Sequence, residues 1–270
     1  MMKLAILPAL LALALPTFAA AEEAGRPAPA QPAADSGNAT TAADETAEAE
    51  ARPRWQPEAE LGLVATSGNS DTTSARGRFA LKGESGDWLH DHYLALLRAE
   101  DAGETTADRF EAGAKFGRTL GERRYLAGIG RYERDEFGAY SHQSTLALNY
   151  GAWLLKDERK TLQMELGPGL RQARDASTGE FQRDALLRGY ADYRHQLTDS
   201  TRFFNTFLVE SGEDNTFVQN DIGVQVSINA SLALKASIQT RHNTEVQPGT
   251  ERTDTLTSVN IVWSPGRHAN

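Results

Sequence analysis

The sequence predicts an all-β protein, a transmembrane antiparallel up-and-down β-barrel of about twelve strands that follows a disordered N-terminal extension. Three observations carry this prediction. Between Glu58 and Trp263 the chain is a succession of stretches about ten residues long in which apolar and polar residues alternate, and that is the length a tilted strand needs to cross a bilayer. The N-terminus has the order of an export signal. The connections switch between longer polar loops and shorter turns, the pattern of bacterial barrels with long loops outside and short turns in the periplasm.

Lys3 precedes the apolar run Leu4 to Leu15, which is followed by Pro16 and by the small residues Ala19, Ala20 and Ala21. This is the arrangement of a secretory signal peptide over residues 1–21, with cleavage expected between about Ala19 and Glu22. The run is shorter than the ~20 residues of a spanning helix. Residues 22–57 are mostly Ala, Pro, Glu, Asp and Thr, too poor in large apolar side chains to offset the entropy of ordering, and read as a disordered periplasmic linker. The chain has no cysteine, so disulfides and thiolate metal sites are excluded and an oxidising compartment leaves it unchanged. Its formal net charge of -9 argues against nucleic acid as a partner, since phosphate binding needs clustered Lys and Arg.

The first hairpin spans Leu61 to Leu81. Ala59, Leu61, Leu63 and Ala65 share one face of its first strand, and Ala75, Gly77, Phe79 and Leu81 share one face of the second. Ser67, Gly68, Asn69, Ser70 and Asp71 join them, residue types that reverse a chain readily. The string from Ala65 to Thr73, with Ser-Gly-Asn-Ser at its centre, resembles the start of the salt-induced outer membrane protein family, also called YdiY-like. The resemblance covers roughly Glu58 to Trp263. It implies an outer membrane barrel and names no activity.

Later stretches repeat the alternation. Phe110, Ala112, Ala114 and Phe116 oppose Glu111, Gly113, Lys115 and Gly117; Leu146, Leu148 and Tyr150 oppose Thr145, Asn149 and Gly151; Leu162, Met164, Leu166 and Leu170 oppose Gln163, Glu165, Gly167 and Arg171. Ile222, Val224, Val226 and Ile228 oppose Asp221, Gly223, Gln225 and Ser227, and Leu232, Leu234, Ala236 and Ile238 oppose Ala233, Lys235, Ser237 and Gln239. The last strand places Thr255, Thr257, Val259, Ile261 and Trp263 together and leaves residues 264–270 as a short tail behind Pro265. Two stretches break the rule. Trp88 to Arg98 carries leucine on both faces and Phe203 to Val209 changes phase, so a bulge or a shifted boundary is expected in each. The longer connections fall at Glu100 to Asp108, Arg134 to His142, Arg174 to Asp184 and Asn243 to Asp254. Trp88, Tyr125, Trp153, Tyr193, Phe203 and Trp263 fall near the opposite strand ends, as an interfacial girdle requires.

The same phase puts charges of both signs inside: Glu60, Arg76, Arg78, Lys82, Glu111, Lys115, Glu165, Arg171, Arg188, Asp192, Arg194, Asp221, Lys235 and Arg241. They are the lumen-lining candidates. A barrel of this strand count is wider than the eight-stranded kind filled by side chains and narrower than an open porin, so these charges either line a polar path or pair and plug it. No catalytic, metal-ligating or cofactor-binding set emerges. His142 and Ser144 share a strand face, where imidazole can activate a hydroxyl, and the outer membrane phospholipase family has such a pair continued as Asn-Gly; here Thr145 and Leu146 follow instead. His90 and His92 share a face too, without a third ligand set by spacing.

These observations point to a non-enzymatic outer membrane component of a Gram-negative-type envelope, either a narrow solute channel or a structural barrel. The family resemblance adds a link to salt or envelope stress. Expected partners are membrane lipids, lipopolysaccharide and the barrel-assembly machinery. The alternatives are a lipid hydrolase built on His142 and Ser144, and a soluble periplasmic β-rich binding protein.

Overall fold

In a computed structural model of the chain, which describes residues 54–66, 72–246 and 251–265, the protein is a closed barrel of twelve antiparallel strands. The signal-peptide and linker assignments over residues 1–53, the Ser67 to Asp71 turn and most of the C-terminal tail lie outside the described residues. The strands are β1 (Arg54–Thr66), β2 (Thr72–Ser85), β3 (Trp88–Asp101), β4 (Glu104–Thr119), β5 (Arg124–Asp135) and β6 (Tyr140–Lys156), followed by β7 (Lys160–Asp175), β8 (Phe181–Gln196), β9 (Thr201–Gly212), β10 (Thr216–Ser227), β11 (Leu232–Asn243) and β12 (Thr253–Trp263). Each pairs with its neighbours in sequence. The ring closes where Ala59, Glu60 and Leu61 of β1 meet Trp263, Val262 and Ile261 of β12.

The outer face is apolar. Leu63, Leu96, Leu146, Leu166 and Leu170 are 68, 58, 67, 58 and 65% exposed, and Phe116, Ile238, Val259 and Ile261 stand beside them around the circumference. A soluble monomer does not carry apolar surface all the way round its girth, whereas a barrel solvated by hydrocarbon needs it. The buried set is the reverse of a water-soluble core. Glu165, Arg171, Glu210, Asn149 and Asn260 are among its most enclosed residues.

Several expectations need correction. β1 starts at Arg54, inside the segment read as linker, because β2 runs on to Ser85 and offers Trp55 and Pro57 the partners Gly83 and Leu81. Trp88 to Arg98 and Phe203 to Val209 pair on both sides without a register shift, so neither holds a bulge. Their apparent change of phase has another cause, since Leu97, Phe204 and Leu208 simply face inward. The actual shifts lie at Ala99/Glu100, Tyr140/His142 and Trp153/Leu155.

The loop asymmetry is much weaker than expected. Ala102 and Gly103 alone join β3 to β4, with φ of 50° and 84°, the two positive values of a tight hairpin turn whose twist matches its strands. The connections at 136–139 and 176–180 are short as well, and 244–252 is the longest between described strands. Pairing continues through polar residues that a sequence reading treats as loop. The girdle is also incomplete, because Tyr125 is fully buried inside with Trp153 packed on it at 4.7 Å between ring centroids, while Trp55, Trp88 and Trp263 face out. Gly151, opposite Tyr125 in register, makes room for that ring: a Cβ there would sit 2.1 Å from it.

Candidate functional site

The lumen is divided by a septum of bonded charges. Arg131, Glu133 and Asp135 recur every second residue on β5, so all three point inward from one strand. Arg241 comes from β11, six strands away in either direction round the ring and therefore on the opposite wall. Its Nη2 donates to both carboxylate oxygens of Glu133, at 2.6 and 2.7 Å. Arg131 donates to Glu133, to Glu111 Oε1 of β4 at 3.1 Å and to Glu210 Oε2 of β9 at 3.4 Å. Phe217 fills the space between the two guanidinium groups, its ring centroid 5.0 Å from each. Arg109 of β4 completes this layer by donating to Asp135 at 2.6 Å.

A second network braces the septum from β4 to β9. Glu165 on β7 accepts from Lys115 Nζ at 2.8 Å, Tyr125 OH at 2.6 Å, Asn149 Nδ2 at 3.3 Å and Arg188 Nη1 at 3.4 Å. Arg188 also lies 3.6 Å from Glu210, too long for a hydrogen bond, which leaves Arg188 Nε and Glu210 Oε1 as an ion pair alone. One chain of charges thus runs from Lys115 through Glu165, Arg188, Glu210 and Arg131 to Glu133 and Arg241. Charges this enclosed lose hydration, and multiple charge-assisted hydrogen bonds compensate.

Two cavities flank the septum. The inner one, of about 260 Å³, runs from Glu58 and Arg194, near the end where β1 begins and β12 finishes, to Glu111 and Arg131. Arg76, Arg78, Lys115, Glu165, Arg188, Asp192, Arg194, Asp221 and Lys235 also line it. The outer one, of about 320 Å³, lies on the loop side among Glu133, Asp135, Tyr140, Arg241, Glu251 and Asp254. Their charges differ in sign: ten Lys or Arg against seven Asp or Glu line the inner cavity, and one Arg against four Asp or Glu the outer.

Of the residues singled out from the sequence, Arg241 sits in the septum and Arg171 stands apart from both cavities. Arg171 is 3% exposed, bonded to Asp184 at 2.6 and 3.2 Å and to the Asn215 carbonyl at 2.8 Å, so it ties β7 to β8 and to the 213–215 turn. Glu111 and Arg188 serve both regions. Sequence reasoning missed Arg131, Glu133, Asp135 and Glu210. On β5 the inward face starts Tyr125, Ala127, Ile129 and looks apolar until Arg131, and Glu210 follows the inward Leu208, so a rule of polar side in fails on both strands. The signal that remained was three charges at two-residue spacing on β5.

His142 and Ser144 lie on the outer face of β6, where Ser144 is exposed and His142 Nδ1 contacts Ser141 Oγ at 3.3 Å. His90 and His92 also face out and pack with Phe116 at 5.6 and 4.9 Å between centroids. Among the described residues no group of three or more His, Asp or Glu is placed to hold a metal ion.

The profile of a family described as a protein of unknown function, DUF481, matches residues 59–264. The chain belongs to this family. The match takes in residues 59–66 of β1 and every later strand, so the septum and, Glu58 apart, the lining of both cavities fall within the DUF481 domain. No curated protein matches the chain. Solved structures it is similar to include a NanC porin (8% identity, 77% of this chain and 97% of the other, TM-score 0.48) and the translocator domain of the autotransporter NalP from Neisseria meningitidis (15%, 84% and 96%, TM-score 0.43). A KdgM porin solved with disordered oligogalacturonate is another (8%, 78% and 99%, TM-score 0.42). With TM-scores below 0.5 these likenesses say nothing of what this DUF481 barrel carries.

Proposed function

We propose that the protein is a non-enzymatic component of an outer membrane, exported by a cleaved signal peptide, whose lumen is a narrow solute path shut in this conformation by the septum. The observation that carries this reading is the Glu133 to Arg241 pair, which joins opposite walls across the lumen. Membrane lipids and lipopolysaccharide would cover the apolar girth, and insertion would use the barrel-assembly machinery. A link to salt or envelope stress rests on the family resemblance alone. The test is conductance in a planar bilayer. The wild-type barrel should be silent or show only brief openings, and Glu133→Ala should raise open time by removing the partner of Arg241. An always-open wild type, or a Glu133→Ala barrel as silent as the wild type, overturns the shut-path reading, and the silent pair of results favours a purely structural barrel.

A further inference from the structure

The inner chamber holds more positive charge than its own carboxylates neutralise. On β2, Arg76 and Arg78 are two residues apart and both line the cavity. The carboxylate opposite Arg78 in register is Glu60 of β1, but its oxygens accept from Lys235 Nζ at 2.8 and 3.0 Å and from Asn260 at 3.4 Å. Three more of the chamber's acids are engaged too. Asp91 pairs with Lys82 at 3.4 Å, Asp192 with Arg194 at 3.0 Å, and Asp221 accepts from Gln219 and Gln239 at 2.9 to 3.1 Å. Among the described residues no carboxylate comes within ion-pair distance of Arg76 or Arg78. Arg78 instead lies 4.2 Å over the Tyr93 ring, whose hydroxyl donates to Glu111, and Arg76 Nη1 is buried without any hydrogen-bond partner.

A buried guanidinium N–H left unbonded is costly, and the planar fork of arginine matches an oxyanion geometrically. We propose that the inner chamber is a binding site for a small carboxylate-bearing solute, held by Arg76 and Arg78 with its carbon skeleton beside the rings of Tyr190 and Phe204, which line the same cavity. The cavity of about 260 Å³ lies just under the usual range of about 300–1,000 Å³ for ligand pockets, which limits the occupant to a small molecule. The rings favour an organic anion over inorganic phosphate, which has no skeleton to lay on them. This inference deepens the solute-path reading, yet it needs only a site open to the terminus end and no opening of the septum.

The experiment is isothermal titration of the folded, detergent-solubilised full chain with succinate, inorganic phosphate and choline, each at matched ionic strength. Succinate should bind, phosphate should bind more weakly, and choline should give no heat beyond dilution. Arg76→Gln and Arg78→Gln should each weaken succinate by about tenfold, the scale of one lost charge-assisted hydrogen bond. Heat-modifiable migration on a gel would confirm that both variants are folded. No succinate binding by the wild type overturns the proposal even if a variant fails to fold. So do phosphate binding as tight as succinate, choline binding of equal strength, or folded variants that keep wild-type affinity. A silent barrel that still binds succinate would keep the site and discard the conducting path, so the two readings fail separately.

Discussion

The septum and the inner chamber are built from the same kinds of residue on the same inward face, yet their charges are satisfied in opposite ways. In the septum Arg131 reaches three carboxylates and Arg241 two, and Glu133 is held by both arginines, so the layer is close to neutral and cross-linked across the lumen. In the chamber Glu60 is engaged by Lys235, Asp91 by Lys82 and Asp192 by Arg194, while no carboxylate of the described residues stands within ion-pair distance of Arg76 or Arg78. A layer whose partners come from opposite walls braces the barrel, because removing one member strands another. A layer with surplus cations keeps room for something that is not protein.

The largest expected effect follows from that contrast. Glu133→Ala leaves Arg131 with Glu111 and Glu210 and Arg241 with only Asp135 at 3.6 Å, and should cost about 3 kcal/mol, the lower part of the range for breaking a buried pair. Replacing both partners, Glu133→Leu with Arg241→Met, should restore much of the loss. Urea titration of refolded barrels in lipid vesicles would measure both, and a double variant as unstable as the single one would show that the pair is not the unit.

The second prediction separates inside from outside. Ile222→Arg, in the middle of β10, places a charge on the outer face near the bilayer midplane and should cost about 2–4 kcal/mol, whereas Gln225→Arg points into the chamber and should be tolerated. Equal folded fractions of the two in outer membranes would break the assignment of the girth to lipid.

A smaller effect is expected in the chamber itself. Arg76→Gln removes a charge with no carboxylate partner, so stability should fall by less than about 1 kcal/mol or rise slightly, in contrast with Glu133→Ala. A loss as large as that of the septum variant would mean that Arg76 braces the wall. The smallest effect lies at the β3 to β4 turn, where Ala102 holds a positive φ that asparagine adopts more readily. Ala102→Asn should stabilise the barrel by up to about 1 kcal/mol, and a lowered urea midpoint would argue against the tight turn.

Much of the fold was legible because alternation is a local property. Ile222, Val224 and Val226 against Asp221 and Gln225 suffice to define a strand and its two sides without knowing its neighbours. Where both sides carry apolar residues, as with Leu97 and Leu96, or Leu208 and Phe207, period two has nothing to distinguish, and the reading turned to a bulge or a shifted boundary within 88–98 and 203–209, where the pairing is continuous. Loop lengths misled for a related reason. Polar residues at strand ends look like loop, but a partner strand of equal length supplies their backbone hydrogen bonds and keeps them in the sheet.

The candidate site was legible only as a list of inward charges. Arg76, Glu165 and Lys235 follow from the phase of their strands, but which charge meets which depends on how a ring of twelve strands curves. Glu133 and Arg241 are separated by 108 residues, and Lys235 and Glu60 by 175. By itself the sequence determined the strand periodicity, the apolar and charged sides of most strands and the absence of thiol chemistry, since each of these depends on residue identity over a few positions. The tertiary structure alone decided that β1 closes on β12, that the lumen is crossed and that one chamber keeps unpaired arginines, because bonds across a closed ring are set by distance in space, and no local pattern records it.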